Sequence, residues 1–392
     1  MKKRILVVAP YNNGTIAMCS RNLYLALKEK ADFEVKCVVV HRFRKDTLSE
    51  FDECEFCVEK EAHPLMKWVN LIKQVSWLKK IKKEFNPDVT ISTLGGCSTI
   101  NVLAGGSDKK VGIFHAPHLQ AKAKGKIVYW NTLFNFRYIY PRLDKLACVS
   151  SEVKRSIIES FPLFLRKDVR IVYNVHNIAD IITKAQEELK SDEQKIIDKH
   201  TILYIGRFDR NKAPDRALKA FLQAVPKLPK DAKLCFIGKD SCNIQPELEQ
   251  FVNDNNLADR VFFLGFQSNP YKFLSKAMCL ISTSYSEGLP GVMIESLLLG
   301  KPVITTNSSE GVWEIMSCHD DYEKNLLSIH KCEDGIITQN RALEDKNCYD
   351  NDIKHLSYAL EQVFQVKYNV GFSFYSQIKK ENIINQLLEN CF

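Results

Sequence analysis

Two glutamates, Glu287 and Glu295, bracket a Gly288-Leu289-Pro290-Gly291 turn in the run YSEGLPGVMIESLLLGKP, residues 285–302. A short apolar run, residues 278–284, precedes them and has the length of a buried strand. Residues 292–299 have helical spacing and stop at Gly300-Lys301-Pro302, a glycine and then a proline where a helix ends. Glu287 is therefore expected in a strand-to-helix loop and Glu295 in the first turns of the helix. Free N–H groups and the positive dipole end favour an anion there, glycines let backbone approach it closely, and proline stiffens the turn. Carboxylates beside such a site would repel phosphate, so their expected partners are hydroxyls. A sugar joined to a nucleoside diphosphate carries both kinds of group. Taken singly, each glutamate also fits an ordinary surface residue.

Upstream, ILYIGRFDRNK (residues 202–212) is an apolar strand running into Gly206, Arg207 and Lys212, with Pro214 placed as an early helical residue. A guanidinium fork and a compact ammonium on one loop could together neutralise a diphosphate, although either could be a plain surface cation. KLCFIGK and RVFFLG repeat the strand-then-glycine pattern at Gly238 and Gly265. Strands that keep ending in glycine describe the ligand edge of a parallel sheet.

The runs GRFDRNK, FIGKD and FFLGFQSNPYKFLSKAMCLISTSYSEGLPGVMIESLLLGKPVITT, in that order, resemble the C-terminal domain of glycosyltransferase family 4, most clearly over residues 200–316. That family comprises retaining enzymes of the GT-B fold and includes bacterial capsular, lipopolysaccharide and exopolysaccharide glycosyltransferases. The resemblance implies two doubly wound Rossmann-like domains facing a central cleft, with a C-terminal helix crossing back to the first. It also implies a metal-independent hexosyltransferase with no cofactor beyond its nucleotide-sugar donor, expected to be a UDP-sugar, and a saccharide or polyprenyl-diphosphate acceptor. By resemblance Glu295 holds ribose hydroxyls, Glu287 meets the donor sugar, the N–H groups around Leu289 to Gly291 bind phosphate, and Arg207 and Lys212 stabilise the leaving diphosphate. A histidine at the end of a first-domain strand contacts the transferred sugar in such enzymes. His115 is the favoured candidate and His118 the alternative. Gly14 stands where the family places a glycine-rich loop, but the sequence has Asn-Gly there in place of Gly-Gly.

Other features narrow the classes. At 392 residues, with 45% hydrophobic and 26% charged residues, the chain suits two globular domains. Its start is expected to be a first buried strand, since the apolar stretch is too short for a signal peptide. No Gly-x-Gly-x-x-Gly supports a nicotinamide cofactor. The 13 cysteines are scattered and odd in number, which favours reduced thiols in a cytoplasmic protein over a disulfide scaffold. Cys54 and Cys57 lack a second ligand pair, so no metal site is expected. Asp350-Asn351-Asp352 resembles a metal-holding carboxylate pair, but it precedes a helical stretch and is read as a helix cap.

Strand and helix patterns alternate through both halves, giving expected domains at residues 1–175 and 176–373, with residues 374–392 as the returning helix. The overall charge of +8 hides an asymmetry: residues 1–176 carry 30 Lys+Arg against 17 Asp+Glu, leaving the remainder net negative. The basic first half is expected to meet the acceptor, and an anionic membrane at the inner face of the cell. Residues 65–85 form an amphipathic pattern in which Trp77 is expected to stand exposed among lysines, and residues 122–142 are basic and aromatic; both suit a headgroup region. A helix packed on the sheet with a solvated lysine face fits the first pattern equally well. Nucleic acid is not expected, because no recognition motif accompanies the basic residues. Other readings of the chain are a phosphorylase, a sugar-nucleotide epimerase or a non-catalytic sugar-nucleotide-binding scaffold.

Overall fold

The fold is that of a computed structural model, which describes residues 2–10, 15–42, 54–58, 66–118, 125–316, 322–341, 343 and 345–392. Gly14 lies outside the described residues. The chain divides into two compact units, Met1–His176 with Ser376–Phe392, and Asn177–Tyr375.

In the first unit the strands are β1 (Lys3–Pro10), β2 (Phe33–Arg42), β3 (Glu55–Val58), β4 (Val89–Ser92), β5 (Lys109–Phe114), β6 (Lys145–Cys148) and β7 (Asp168–Ile171). They form one parallel sheet in the order β3-β2-β1-β4-β5-β6-β7. The near-continuous apolar runs follow from burial on both faces: Ile5 through Ala9 are fully buried. The second unit repeats the plan with β8 (Thr201–Ile205), β9 (Lys233–Ile237), β10 (Val261–Phe263), β11 (Cys279–Ser282), β12 (Val303–Thr306), β13 (Ile329–Cys332) and β14 (Gly335–Thr338). Its order is β10-β9-β8-β11-β12-β14-β13, parallel except for the antiparallel edge strand β13.

Each sheet reverses its winding direction once, between β1 and β4 in the first and between β8 and β11 in the second. At such a switch point the loops leaving adjacent strands part to opposite faces, and a crevice opens beyond the carboxyl ends. The second unit's crevice therefore receives the loops after Ile205 and Ser282, which carry Lys212 and Glu287.

The C-terminal helix Lys380–Leu388 belongs to the first unit. Lys145, 2% exposed, points its ammonium at the carbonyls of Gln386 (3.2 Å) and Leu387 (3.1 Å) and at that of Glu389. A cation on the unpaired carbonyls of a helix end satisfies both hydrogen bonding and the dipole. Ile383 and Leu387 close the apolar side of the same contact.

Several expectations change. Helix Met66–Phe85 packs on the sheet, and Trp77 is half-buried against the cluster around Leu78, Ile81 and Ile100. It is Ile72, 65% exposed, that faces water. Nor are all of this helix's lysines solvated: Lys82 is buried against Asp108 at 2.8 Å, and burial brings its pKa down to about 8 against the pull of that carboxylate. The sequence pattern misled because a 20-residue helix on a twisted sheet buries a broad stripe, wide enough to take in Trp77. Asp352 caps no helix. It lies inside helix Lys346–Gln365, whose cap is Asp345, accepting from the Cys348 N–H at 2.8 Å. Among the described cysteines, Cys332 departs from the reduced-thiol reading, being disulfide-bonded.

Candidate functional site

The site of the second unit begins with glycines that hold one another. The Gly206 N–H donates to the Ile237 carbonyl (3.0 Å) and the Gly238 N–H to the Gly265 carbonyl (3.0 Å). A Cβ on Gly238 would lie 1.7 Å from the Gly206 carbonyl oxygen, so only glycine lets the loops after β8 and β9 lie together. Gly265 adopts a φ of 64°, in the left-handed region. These three glycines shape the strand edge, and the amides of Gly206 and Gly238 are already engaged with backbone.

The cation loop is organised by Asp209, which motif reading passed over. Its carboxylate accepts from Arg207 Nη2 at 3.0 Å and from the Lys212 N–H at 2.8 Å. Ala213 then takes a left-handed φ of 46°, and Pro214 opens helix Pro214–Ala224. The Tyr204 hydroxyl lies 3.3 Å from the Arg207 carbonyl and 3.2 Å from that of Lys212, bracing the loop at both ends. Arg207 is left 64% exposed at the crevice rim.

Lys212 Nζ meets Glu287 Oε1 at 2.5 Å, with the two side chains 24% and 13% exposed. The structure thus joins two groups that were expected to address different parts of a ligand. Around them the two loops are stitched together: Asn211 Nδ2 donates to the Ser286 carbonyl (2.9 Å), and the Tyr285 N–H to the Asn211 carbonyl (2.8 Å). On the far side the Glu287 N–H reaches the Ser308 carbonyl (3.3 Å), and Gly311 packs beneath Gly288, where a Cβ would lie 2.3 Å from the Gly288 oxygen. Gly288 and the buried Leu289 lead to Pro290, which precedes helix Gly291–Leu298. The Met293 N–H turns back to the Pro290 carbonyl (3.1 Å), and the N–H groups of Gly291 and Val292, at the helix start, face the same end of the sheet.

Glu295 lies in the second turn of helix Gly291–Leu298. Burial pushes its pKa up to about 7, opposed by a hydrogen bond from the Tyr271 side chain. Tyr271, on the short helix Tyr271–Leu274, had no distinguishing mark in the sequence.

Behind the loops lies a buried polar network. Arg216, with no exposed surface, pairs with Asp352 at 2.6 Å and donates to the Thr283 carbonyl (3.1 Å) and to Asn340 Oδ1 (2.8 Å). Asp352 also accepts from Gln339 Nε2 (2.7 Å) and from the Arg341 N–H (2.9 Å). Asn340 Nδ2 donates to the Tyr285 carbonyl (2.8 Å), two residues before Glu287, while the Arg216 guanidinium lies 4.8 Å from the centre of the Tyr285 ring. A position 136 residues downstream of Arg216 therefore fixes the loop that presents Glu287. Only the tertiary structure reveals this pairing.

In the first unit, His115 and His118 part company. His118 is buried, with Nδ1 2.9 Å from Ser156 Oγ and its ring edge-on to Phe136 and Phe161; its place is structural. His115 follows β5, and its Nε2 donates to the Thr93 carbonyl at 3.0 Å at the end of β4. Burial lowers its pKa to about 4, so the imidazole is neutral. It borders a cavity of about 20 Å³ with Ser20, Thr93 and Asn174, room for about one water.

Comparison with known proteins bears on the family and the fold. Residues 185–334 match the family model for glycosyl transferases group 1. The chain is 29% identical over 267 residues to an uncharacterized glycosyltransferase of Methanocaldococcus jannaschii, spanning 66% of this chain and 65% of that protein. It is 25% identical over 346 residues, 84% of this chain and 88% of the relative, to the N-acetylgalactosamine-N,N'-diacetylbacillosaminyl-diphospho-undecaprenol 4-alpha-N-acetylgalactosaminyltransferase of Campylobacter jejuni. Among solved structures, Anabaena HepE in complex with UDP and glucose superposes with a TM-score of 0.65 at 16% identity, over 98% of this chain and 99% of that one. The apo lipopolysaccharide outer core galactosyltransferase WaaB gives 0.66 at 17% identity, over 99% of both chains. The fold is GT-B, and the sequence relatives support a glycosyltransferase.

Removing one member of the buried Arg216–Asp352 pair leaves the other charge without a partner. Arg216→Ala and Asp352→Ala should each lower stability to urea by about 3–5 kcal/mol, and Arg216→Met combined with Asp352→Leu should recover much of that loss. Equal losses in the single and double variants would contradict the assignment.

Proposed function

We propose that the chain is a retaining, family 4 type glycosyltransferase that moves a hexose or N-acetylhexosamine from a UDP-sugar to a saccharide or polyprenyl-diphosphate-linked acceptor. The observation that carries this reading is the Lys212–Glu287 pair at the switch point of the second sheet, flanked by Arg207, the start of helix Gly291–Leu298 and Glu295. A crevice with two cations, the start of a helix and two carboxylates fits a diphosphate that carries a sugar at each end. UDP in the HepE structure and the diphospho-undecaprenol acceptor in the name of the Campylobacter relative accord with it.

Each group has a defined task in this scheme. Glu295 accepts the ribose hydroxyls, and helix amides near Leu289 to Gly291 meet a phosphate. Lys212 turns from Glu287 toward the diphosphate as the donor enters, and Glu287, released, accepts hydroxyls of the transferred sugar. As the bond from the anomeric carbon to the phosphate oxygen breaks, Arg207 and Lys212 stabilise the negative charge that collects on UDP. The acceptor oxygen attacks from the face the leaving group vacates, and its proton passes to the departing phosphate, so configuration is retained without a covalent enzyme intermediate. The cations do the work that a metal ion would do elsewhere, at the cytoplasmic face of a membrane that supplies the acceptor.

Incubation with a panel of UDP-sugars and lipid-linked or simple acceptors, with the anomeric configuration read by NMR, tests the reading directly. Transfer with retained configuration is expected in the presence of EDTA, and Lys212→Ala should lower kcat by about 10²–10³. Inverted product would refute the mechanism, and the absence of donor binding would refute the function.

Glu295 adds a pH signature. Hydroxyl donors favour the carboxylate, so binding lowers a pKa that starts near 7 and releases a proton. UDP affinity measured by calorimetry should therefore rise severalfold from pH 6 to pH 8, and Glu295→Gln should flatten the profile.

A further inference from the structure

Helix Lys126–Phe134 buries none of its residues. Ile127 is 86% exposed, Trp130 69% and Phe134 54%, and their spacing of three and four puts them on one face. Tyr138, 55% exposed, continues the row, its ring 5.0 Å from that of Phe134. The row stands on a firm base. The next residues turn inward, where Phe136 stacks on Phe161 at 5.0 Å and the Tyr140 hydroxyl donates to the Gly95 carbonyl at 3.0 Å. Beside it, around Phe161 and Phe164, the turn Pro162–Arg166 exposes Leu165 at 68%. Isolated exposed apolar residues are common, but a contiguous row of this size marks an interaction surface.

Charge identifies the occupant. Residues 115–143 contain Lys122, Lys124, Lys126, Arg137 and Arg142 and no aspartate or glutamate. Lys126, Arg137 and Arg142 are exposed, and the Arg137 guanidinium lies 5.9 Å from the Tyr138 ring centre. Trp and Tyr rings suit the headgroup level, Ile and Phe the acyl boundary, and cations the lipid phosphates. A second copy docked about a twofold axis would bring like charges together.

We propose that helix Lys126–Phe134 and the segment through Tyr138 form the surface by which the protein binds an anionic lipid bilayer, Ile127, Trp130 and Phe134 entering the interface. This deepens the reading of a membrane-borne acceptor, but it is tested by binding alone and so stands or falls apart from transfer. It moves the membrane contact away from Trp77, whose ring is half-buried on the sheet.

The test is co-sedimentation of the full chain with vesicles of phosphatidylcholine alone and of phosphatidylcholine mixed with phosphatidylglycerol. Binding to the anionic vesicles only, weakened by salt, is expected. Trp130→Ser and Ile127→Ser should each lower the partition coefficient roughly tenfold or more, as loss of one large apolar anchor requires, with unchanged circular dichroism. Lys126→Glu combined with Arg137→Glu should remove the preference for anionic lipid. Absence of binding, or binding untouched by these variants, would overturn the proposal. So would either of two other outcomes: a dimer, seen by sedimentation velocity, that Trp130→Ser abolishes without affecting vesicles, or an oligonucleotide that binds this face in their place.

Discussion

The reversal of strand order between β8 and β11 is the constraint on which the second unit's chemistry depends. Because those strands are neighbours, the loops after Ile205 and Ser282 start about one strand spacing apart and are held together by the Asn211–Ser286 and Tyr285–Asn211 hydrogen bonds. Lys212 and Glu287, 75 residues apart in sequence, can therefore meet at 2.5 Å. Every other feature of the site serves that meeting. Asp209 and Tyr204 set the shape of the first loop, Asn340 and Arg216 hold the second, and Gly311 gives the Gly288 turn its space.

Charge is arranged in depth behind this pair. The Arg216–Asp352 pair is fully buried and multiply hydrogen-bonded, with the Arg216 Nε left without a partner, a costly way to stabilise a core but an effective way to specify one loop position. In front of it the Lys212–Glu287 pair is partly open, so a ligand can compete for either partner. Glu295, its pKa pushed up to about 7 by burial, shifts further toward the carboxylate when hydroxyls replace the solvation that burial has removed. The gradient from rigid to exchangeable polar contacts follows the path from core to crevice.

Much of this was legible in the chain. Apolar runs ending in glycine marked the ligand edge of a parallel sheet, and the loops carrying Arg207, Lys212 and Glu287 lie there. Local sequence could not show that Lys212 pairs with Glu287, or that Asp352 pairs with Arg216, because such pairings are set by strand order and not by spacing. Gly206, Gly238 and Gly265 mark the ligand edge in the sequence, and the structure adds that Gly238 must lack a side chain to clear the Gly206 carbonyl. Trp77 was misplaced for a related reason: helical periodicity gives a face but not the width that a twisted sheet covers. Tyr271 and Asn340 carried no signal, since a lone polar residue acquires its meaning only from what it touches.

The central claim is that Lys212 and Glu287 act as one exchangeable unit on the donor. A double-mutant cycle on kcat/KM for the UDP-sugar, with Lys212→Met, Glu287→Gln and the double variant, tests this most directly. Coupling predicts that the double variant loses far less than the two single losses combined, with a coupling energy of about 1 kcal/mol or more. Additive losses within about 0.3 kcal/mol would show that the two residues act independently and would contradict the account.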